Sequence, residues 1–349
     1  MTYENTTSNK AYFAAANGYS GFRSLFGEIF DPERFGRTFI IKGGPGTGKS
    51  TIMKKLVNHS LIVGYEVEEI YCSSDPHSLD GVIIRKNEHS IAVLDGTAPH
   101  ERDCIYPGAC DEIINLGNSF NIAALTEKKE EIIALGKSKK EAYKAAYAHL
   151  HIAGQIYNVA SELLLKSMDY NKAERLISNC ISECAANKSG NFSRVYRSAF
   201  SRFGHVKLDA YTNKKTVEID AGDSVFVGRI FMNMLYQRLR DRGAICTIAR
   251  SPFDDSIIEE IDTTDRIYSL MPASKFEKQN TLLRGCSSQL ASLEKMHSEA
   301  LRLAQDAFSE ASHLHFKLED IYKGAVDFNN NDSIYSSLQE RITTELEKQ

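Results

Sequence analysis

Thr38 to Ile41 reads Thr-Phe-Ile-Ile, a short β-rich apolar run that predicts a buried strand. After a glycine-rich gap, Ile52, Met53, Leu56 and Val57 recur at i, i+1, i+4 and i+5, one face of an amphipathic helix. Residues 66 to 72, Glu-Val-Glu-Glu-Ile-Tyr-Cys, predict a second strand that ends in the polar turn Ser73-Ser74-Asp75-Pro76. A Gly81-Val-Ile-Ile segment follows, and then Ile91-Ala-Val-Leu-Asp95, four apolar residues capped by a carboxylate. From about Asn121 to Asn187 no proline interrupts a helical pattern, and Ala146, Leu150, Ala153, Tyr157, Ala160 and Leu164 follow 4-3-4-3-4 spacing. Such a seam predicts a helical hairpin that projects from the α/β unit or packs across it. Residues 1 to 36 read only as a lead-in to the first strand.

The pattern then repeats. Adding 178 carries Arg37 and Thr38 onto Lys215 and Thr216, Gly44 onto Gly222, and Ile52, Met53, Leu56 and Val57 onto Ile230, Phe231, Met234 and Leu235. The same shift places Ile70 on Ile248 and Ser73 on Ser251, and a shift of 176 places Ile91 on Ile267, Leu94 on Leu270 and Asp95 on Met271. In the helical region a shift of 158 aligns Met168-Asp-Tyr-Asn171 with Val326-Asp-Phe-Asn329, and the seam recurs as Ala304, Phe308, Ala311, His315, Leu318 and Tyr322. Upstream, Arg23-Ser-Leu-Phe26 aligns with Arg197-Ser-Ala-Phe200. Blocks kept in one order imply a tandem duplication. The expected fold is therefore α/β, a P-loop NTPase-like parallel sheet with helices, duplicated, each half carrying a helical-hairpin arm. The expected boundaries are 1–190, with an arm at 121–190, and 191–349, with an arm at 276–349.

The glycine-rich gap carries the chemistry. Gly43, Gly44, Pro45, Gly46, Thr47, Gly48, Lys49, Ser50 and Thr51 fit the template G-x-x-x-x-G-K-[ST] between a predicted strand and a predicted helix. Glycines let backbone N–H groups turn toward a triphosphate, and the helix N-terminus adds its positive end. Lys49 would then reach the β- and γ-phosphates of ATP, and Ser50 would ligate Mg²⁺. Asp95, at the end of its apolar run, has the shape of a Walker B carboxylate and is the second candidate magnesium ligand. Many NTPases place a glutamate directly after that aspartate to orient water; here the position is Gly96. His100 and Glu112, with Asp103 and Asp111 nearby, are the candidates for that task. In the second half Gly43, Gly46, Gly48, Lys49 and Ser50 fall on Ala221, Ser224, Phe226, Val227 and Gly228, so that copy is expected to be nucleotide-dead. It would serve as a built-in partner, with Arg197, Arg202 or Arg250 as a finger toward the γ-phosphate.

Composition narrows the remainder. The chain has 349 residues, 42% hydrophobic and 25% charged, with a net charge of −4, so bulk electrostatics favour neither nucleic acid nor an anionic membrane. Seven cysteines at 72, 104, 110, 180, 184, 246 and 286 make no disulfide framework and are expected as free thiols. No apolar window is long enough to span a membrane, and the first residues carry no signal-peptide pattern, so a cytoplasmic location is expected. Phe192, Arg194, Tyr196, Arg197, Phe200, Arg202 and Phe203 interleave aromatics with cations, the pattern of a single-strand platform. Part of it matches the lead-in of the first half, which favours an architectural reading.

Lys42 to Thr51, Cys72-Ser-Ser-Asp-Pro76 with Leu79-Asp-Gly81, and Asp95-Gly-Thr-Ala-Pro-His100 with Pro107-Gly-Ala109 and Asp111-Glu-Ile113 resemble a bacterial, largely Firmicute, family of tandem P-loop ATP-binding proteins or ATPases. The resemblance implies ATP binding and two P-loop-like halves and carries no physiological partner. Members of that family often keep a glycine–lysine loop in the second half, and Val227 departs from this. The leading expectation is a Mg-dependent ATPase acting with an unidentified protein or small-molecule partner. A small-molecule or nucleotide kinase and a nucleotide-gated scaffold with little hydrolysis are the alternatives.

Overall fold

The computed structural model describes residues 10–181, 192–208, 214–219, 225–244, 246–264, 266–270, 282 and 287–348. The first half runs β1 (Lys10–Phe13), β2 (Ala15–Gly18), β3 (Gly21–Ser24), α1 (Phe26–Ile29), β4 (Arg37–Lys42), α2 (Lys49–Ile62), β5 (Glu66–Tyr71), β6 (Leu79–Lys86), β7 (His89–Asp95) and β8 (Asp111–Asn115). Helices α3 (Ile122–Glu127), α4 (Lys129–Ser167) and α5 (Tyr170–Ile181) follow. The second half runs β9 (Phe192–Tyr196), β10 (Ser198–Ser201), β11 (Gly204–Lys207), β12 (Lys215–Ile219), α6 (Val225–Asp241), β13 (Cys246–Arg250), β14 (Ile258–Thr263) and β15 (Arg266–Leu270). It ends in α7 (Ser287–Lys323) and α8 (Phe328–Leu346).

Eleven of these strands form one sheet in the order β12-β15-β14-β13-β9-β1-β5-β6-β7-β4-β8. Within the first half every strand but β6 runs the same way, and within the second half every strand but β14 does. The expected parallel sheet is thus a mixed α/β sheet, because β6 and β14 each return through a short connection that no helix has to cross. The halves meet where β1 and β9 pair antiparallel at Phe13 and Tyr196. Outward from that junction the sequences β1-β5-β6-β7-β4 and β9-β13-β14-β15-β12 match in order and direction, and β8 alone has no counterpart among the described residues.

The ladders also fix which residues correspond. Gly81 faces Leu94 and Glu260 faces Ser269, while Ile41 faces Asp95 and Ile219 faces Leu270. Asp95 therefore corresponds to Leu270, one residue from the Met271 expected, and Met271 lies outside the described residues. Likewise the β2–β3 hairpin corresponds to β10–β11, which sets Ala14–Asn17, instead of Arg23–Phe26, against Arg197–Phe200.

The predicted seam forms: Ala146, Leu150, Ala153, Ala160 and Leu164 are fully buried along α4, and Ala304, Phe308 and Ala311 along α7. The two long helices run antiparallel, Tyr143 and Tyr147 against Phe308, and Ala160 and Leu164 in one cluster with Leu290. Each then caps the opposite half. Met168, Ala173, Ile177 and Ile181 join α6 and β13–β15 in one core, while Leu338, Ile342 and Leu346 of α8 join β4, α2 and β5–β7 in another. The arm that follows each half in sequence packs on the other half in space.

No described helix is long and apolar enough to cross a membrane. Cys72, Cys104, Cys110, Cys180 and Cys246 are free thiols, and Cys184 and Cys286 lie outside the described residues. Tyr196 and Phe200 are buried at 1% and 3% exposure, so the aromatic stretch presents no stacking platform at those two positions.

Candidate functional site

Strand β4 has Phe39, Ile40 and Ile41 fully buried, so the chain can leave it only at its carboxyl end, into the segment Gly43–Gly48. Gly46 and Gly48 adopt φ of 69° and 87°, a left-handed region that a Cβ penalises, and Gly48 caps α2. Thr47 is 1% exposed and its Oγ1 donates to the Gly44 carbonyl at 2.9 Å, closing the segment on itself. Pro45 is half-buried in it, and Thr51 faces solvent on the first turn of α2.

Lys49 folds back over this segment. Its Nζ donates to the carbonyls of Gly43 at 3.1 Å and Gly44 at 2.8 Å and lies 3.6 Å from Asp95 Oδ2. Asp95 stands at the end of β7, opposite Ile41 in the neighbouring strand, and its Oδ1 accepts from Thr97 N at 2.9 Å and Thr97 Oγ1 at 2.6 Å. Ser50 Oγ accepts from the Leu79 N–H at 2.9 Å, which ties the first turn of α2 to the start of β6. The next residue, Asp80, is 7% exposed, and burial together with the Asp95 carboxylate pushes its carboxyl up to about 8. Asp80, Asp95 and His100 bring one ligand atom each within 4.8 Å of one another. His100 stacks on Phe26 with ring centroids 4.2 Å apart, and burial holds its imidazole below its usual range.

Structure and sequence part company over the other candidates. Glu112 sits inside β8, where its carboxylate pairs with Arg341 of α8 beside Phe39, and is not gathered with Lys49 and Asp95. Asp111 is fully buried and accepts from the N–H groups of Ile105 and Tyr106, and Asp103 pairs with Lys42 at 2.9 Å. Asp80 is the residue that motif reasoning passed over. Leu79-Asp-Gly81 looks like any turn until the β5–β6 register places it beside Asp95.

The far end of the chain completes the surroundings. A Cβ on Gly44 would meet the Tyr322 ring at 2.9 Å, and one on Gly46 would meet the Glu319 carbonyl at 2.7 Å, so two of the loop glycines make room for α7. Asn331 of α8 donates Nδ2 to the Thr47 carbonyl at 2.8 Å and accepts from Ser119 Oγ at 2.6 Å. Arg197 is committed to Glu260 at 3.6 Å and to the Ala11 carbonyl at 3.2 Å. Arg202, at the tip of β10–β11, lies over Phe316 at 4.8 Å, one helical turn before Glu319.

In the second half the corresponding positions are filled. Phe226 and Val227 are buried, and Arg229 lies over the Tyr157 ring at 5.0 Å. Tyr19, the β2–β3 tip, sits 2.8 Å from His297 Nε2. Residues 220–224, with the counterparts of Gly43 to Gly46, lie outside the described residues. Comparison with known protein families, characterised proteins and solved structures returns no match. The functional reading therefore rests on the geometry alone.

Proposed function

We propose that the chain is a P-loop nucleoside triphosphatase, duplicated in tandem, that binds ATP at Gly43–Thr51 and hydrolyses it with the second half as a nucleotide-dead partner. The observation that carries this reading is Lys49, whose ammonium is held over the loop carbonyls and 3.6 Å from the strand-end carboxylate of Asp95. A lysine so placed exchanges carbonyl partners for phosphate oxygens with little rearrangement. The donor set fits Mg²⁺: the Ser50 hydroxyl and the Asp95 carboxylate are hard oxygen ligands on adjoining elements. Bound there, Mg²⁺ would neutralise charge on the phosphate oxygens.

In hydrolysis a water oxygen bonds to the γ-phosphorus, the bond from that phosphorus to the β–γ bridging oxygen breaks, and the water's proton leaves with the products. Lys49 holds the phosphates in line, and Asp80 and His100 are the titratable groups nearest Asp95 that can orient the water. Arg202 is the finger candidate that the second half turns toward the loop, since Arg197 is already engaged. The test is ATP binding and phosphate release with Mg²⁺ and no acceptor, comparing wild type with Lys49→Ala, Asp95→Asn and Arg202→Ala. Lys49→Ala should abolish binding, and Asp95→Asn should abolish release. Arg202→Ala should keep binding and slow release by at least about tenfold. Absence of binding in wild type would refute the reading.

A further inference from the structure

We propose that Asp80, Asp95 and His100 form a divalent-cation site that fills without nucleotide and prefers a first-row transition ion such as Mn²⁺ to Mg²⁺. The site shares Asp95 with the nucleotide reading but is built from different neighbours, so either can fail alone.

Three separate segments deliver the ligands, and each is fixed by contacts of its own. Asp80 follows Leu79, whose N–H is bound by Ser50 Oγ at 2.9 Å. Asp95 is held by Thr97, and His100 by its stack on Phe26 and by its backbone N–H, which donates to the Thr97 carbonyl at 3.2 Å. Their ligand atoms lie within 4.8 Å of one another. Two ligands on opposite sides of a cation at about 2.1 Å stand about 4.2 Å apart, so only a small contraction closes the set.

A second, independent observation points to a ligand. His100 is 9% exposed, and its Nε2 is buried with no hydrogen-bond partner. A buried polar atom left unsatisfied costs about 1–3 kcal/mol, and a cation taking its lone pair removes that cost. Charge points the same way, because Asp80 and Asp95 face a single ammonium, Lys49. The imidazole decides which cation. Mg²⁺ is best served by oxygen donors, whereas a nitrogen ligand suits Mn²⁺ and the later first-row ions. The second half lacks the set: Asp95 corresponds to Leu270, and Glu259, which corresponds to Asp80, is engaged by Ser198 and lies 3.5 Å from His205. One ion per chain is expected.

The experiment is titration of the full-length, nucleotide-free chain with Mn²⁺, free ion being read by electron paramagnetic resonance, and then displacement by Mg²⁺. Wild type should bind one Mn²⁺ and release it only at more than tenfold higher Mg²⁺. His100→Gln should weaken Mn²⁺ by about 10- to 100-fold and erase the preference, and Asp80→Asn should weaken both ions. Circular dichroism confirms that each variant is folded. No Mn²⁺ binding in wild type, equal affinity for the two ions, or unchanged Mn²⁺ affinity in folded His100→Gln would each overturn the proposal. ATP binding measured on the same samples with Lys49→Ala judges the nucleotide reading separately, since that variant keeps all three metal ligands.

Discussion

At the scale of single residues, burial sets charge states that the sequence does not advertise. His297 is 5% exposed, and burial and the nearby Arg229 guanidinium bring its imidazole down to about 4. The folded chain keeps this ring neutral, whereas the unfolded chain protonates near 6.5. Between pH 6.5 and 4 the unfolded state therefore binds more protons, so stability falls as pH falls through that window and the loss levels off below about 4. The full effect is about 3 kcal/mol. Denaturant midpoints of wild type and His297→Gln at pH 7 and pH 4.5 check this: the variant should lose clearly less stability on acidification, and equal losses would contradict it. At the candidate site the same physics separates what could be read from what could not. Lys49, Ser50 and Asp95 stand in a motif whose spacing states their task. Asp80 acquires its place only through strand pairing, and Asn331 reaches Thr47 across 284 residues of chain, a distance no local pattern bridges.

At the scale of elements, the loop glycines answer to two masters. A phosphate needs exposed backbone N–H groups, but Gly44 also lies against the ring of Tyr322, and Gly46 against the Glu319 carbonyl. Gly44→Ala should therefore destabilise the protein by about 1–3 kcal/mol through overpacking, and Tyr322→Ala in the same chain should recover most of that loss. Thermal unfolding of the two single variants and the double variant tests it, and additive losses would mean that α7 is not what Gly44 accommodates. Element type and order were readable wherever periodicity was strong, as in α2, α4 and α7. Register was not readable in β7 and β15. Ile91, Ala92, Val93 and Leu94 are all buried, so neither face alternates and a slip of one residue leaves the apolar match intact. Strand β1 was missed outright: Lys10-Ala-Tyr-Phe13 is four residues long and alanine-bearing, yet it lies against the second half in the middle of the sheet.

At the scale of the whole molecule, the exchange of arms makes each half depend on the other. The β1–β9 junction rests on the single pair Phe13 and Tyr196, a narrow joint for so wide a sheet. The larger connection is helical: α4 and α7 share a buried seam, and α8 lays Leu338, Ile342 and Leu346 over the face formed by β4, α2 and β7. Three such side chains at about 2 kcal/mol each amount to about 6 kcal/mol, comparable to the entire net stability of an ordinary domain. A chain ending at residue 190 carries the complete loop, Lys49, Asp80, Asp95 and His100, but loses that cover, the α7 side of the seam and the Asn331 bond to Thr47. It should neither fold cooperatively nor bind ATP. Residues 191–349 expressed with it should restore both, because every missing contact then returns in trans. Circular dichroism melting and ATP binding of 1–190 alone and of the co-purified pair decide the matter. A cooperative, nucleotide-binding 1–190 would show that the exchanged arm is an ornament on a self-sufficient half. Recovery only in the pair would make the second half part of the site's foundation, whatever its own loop has lost.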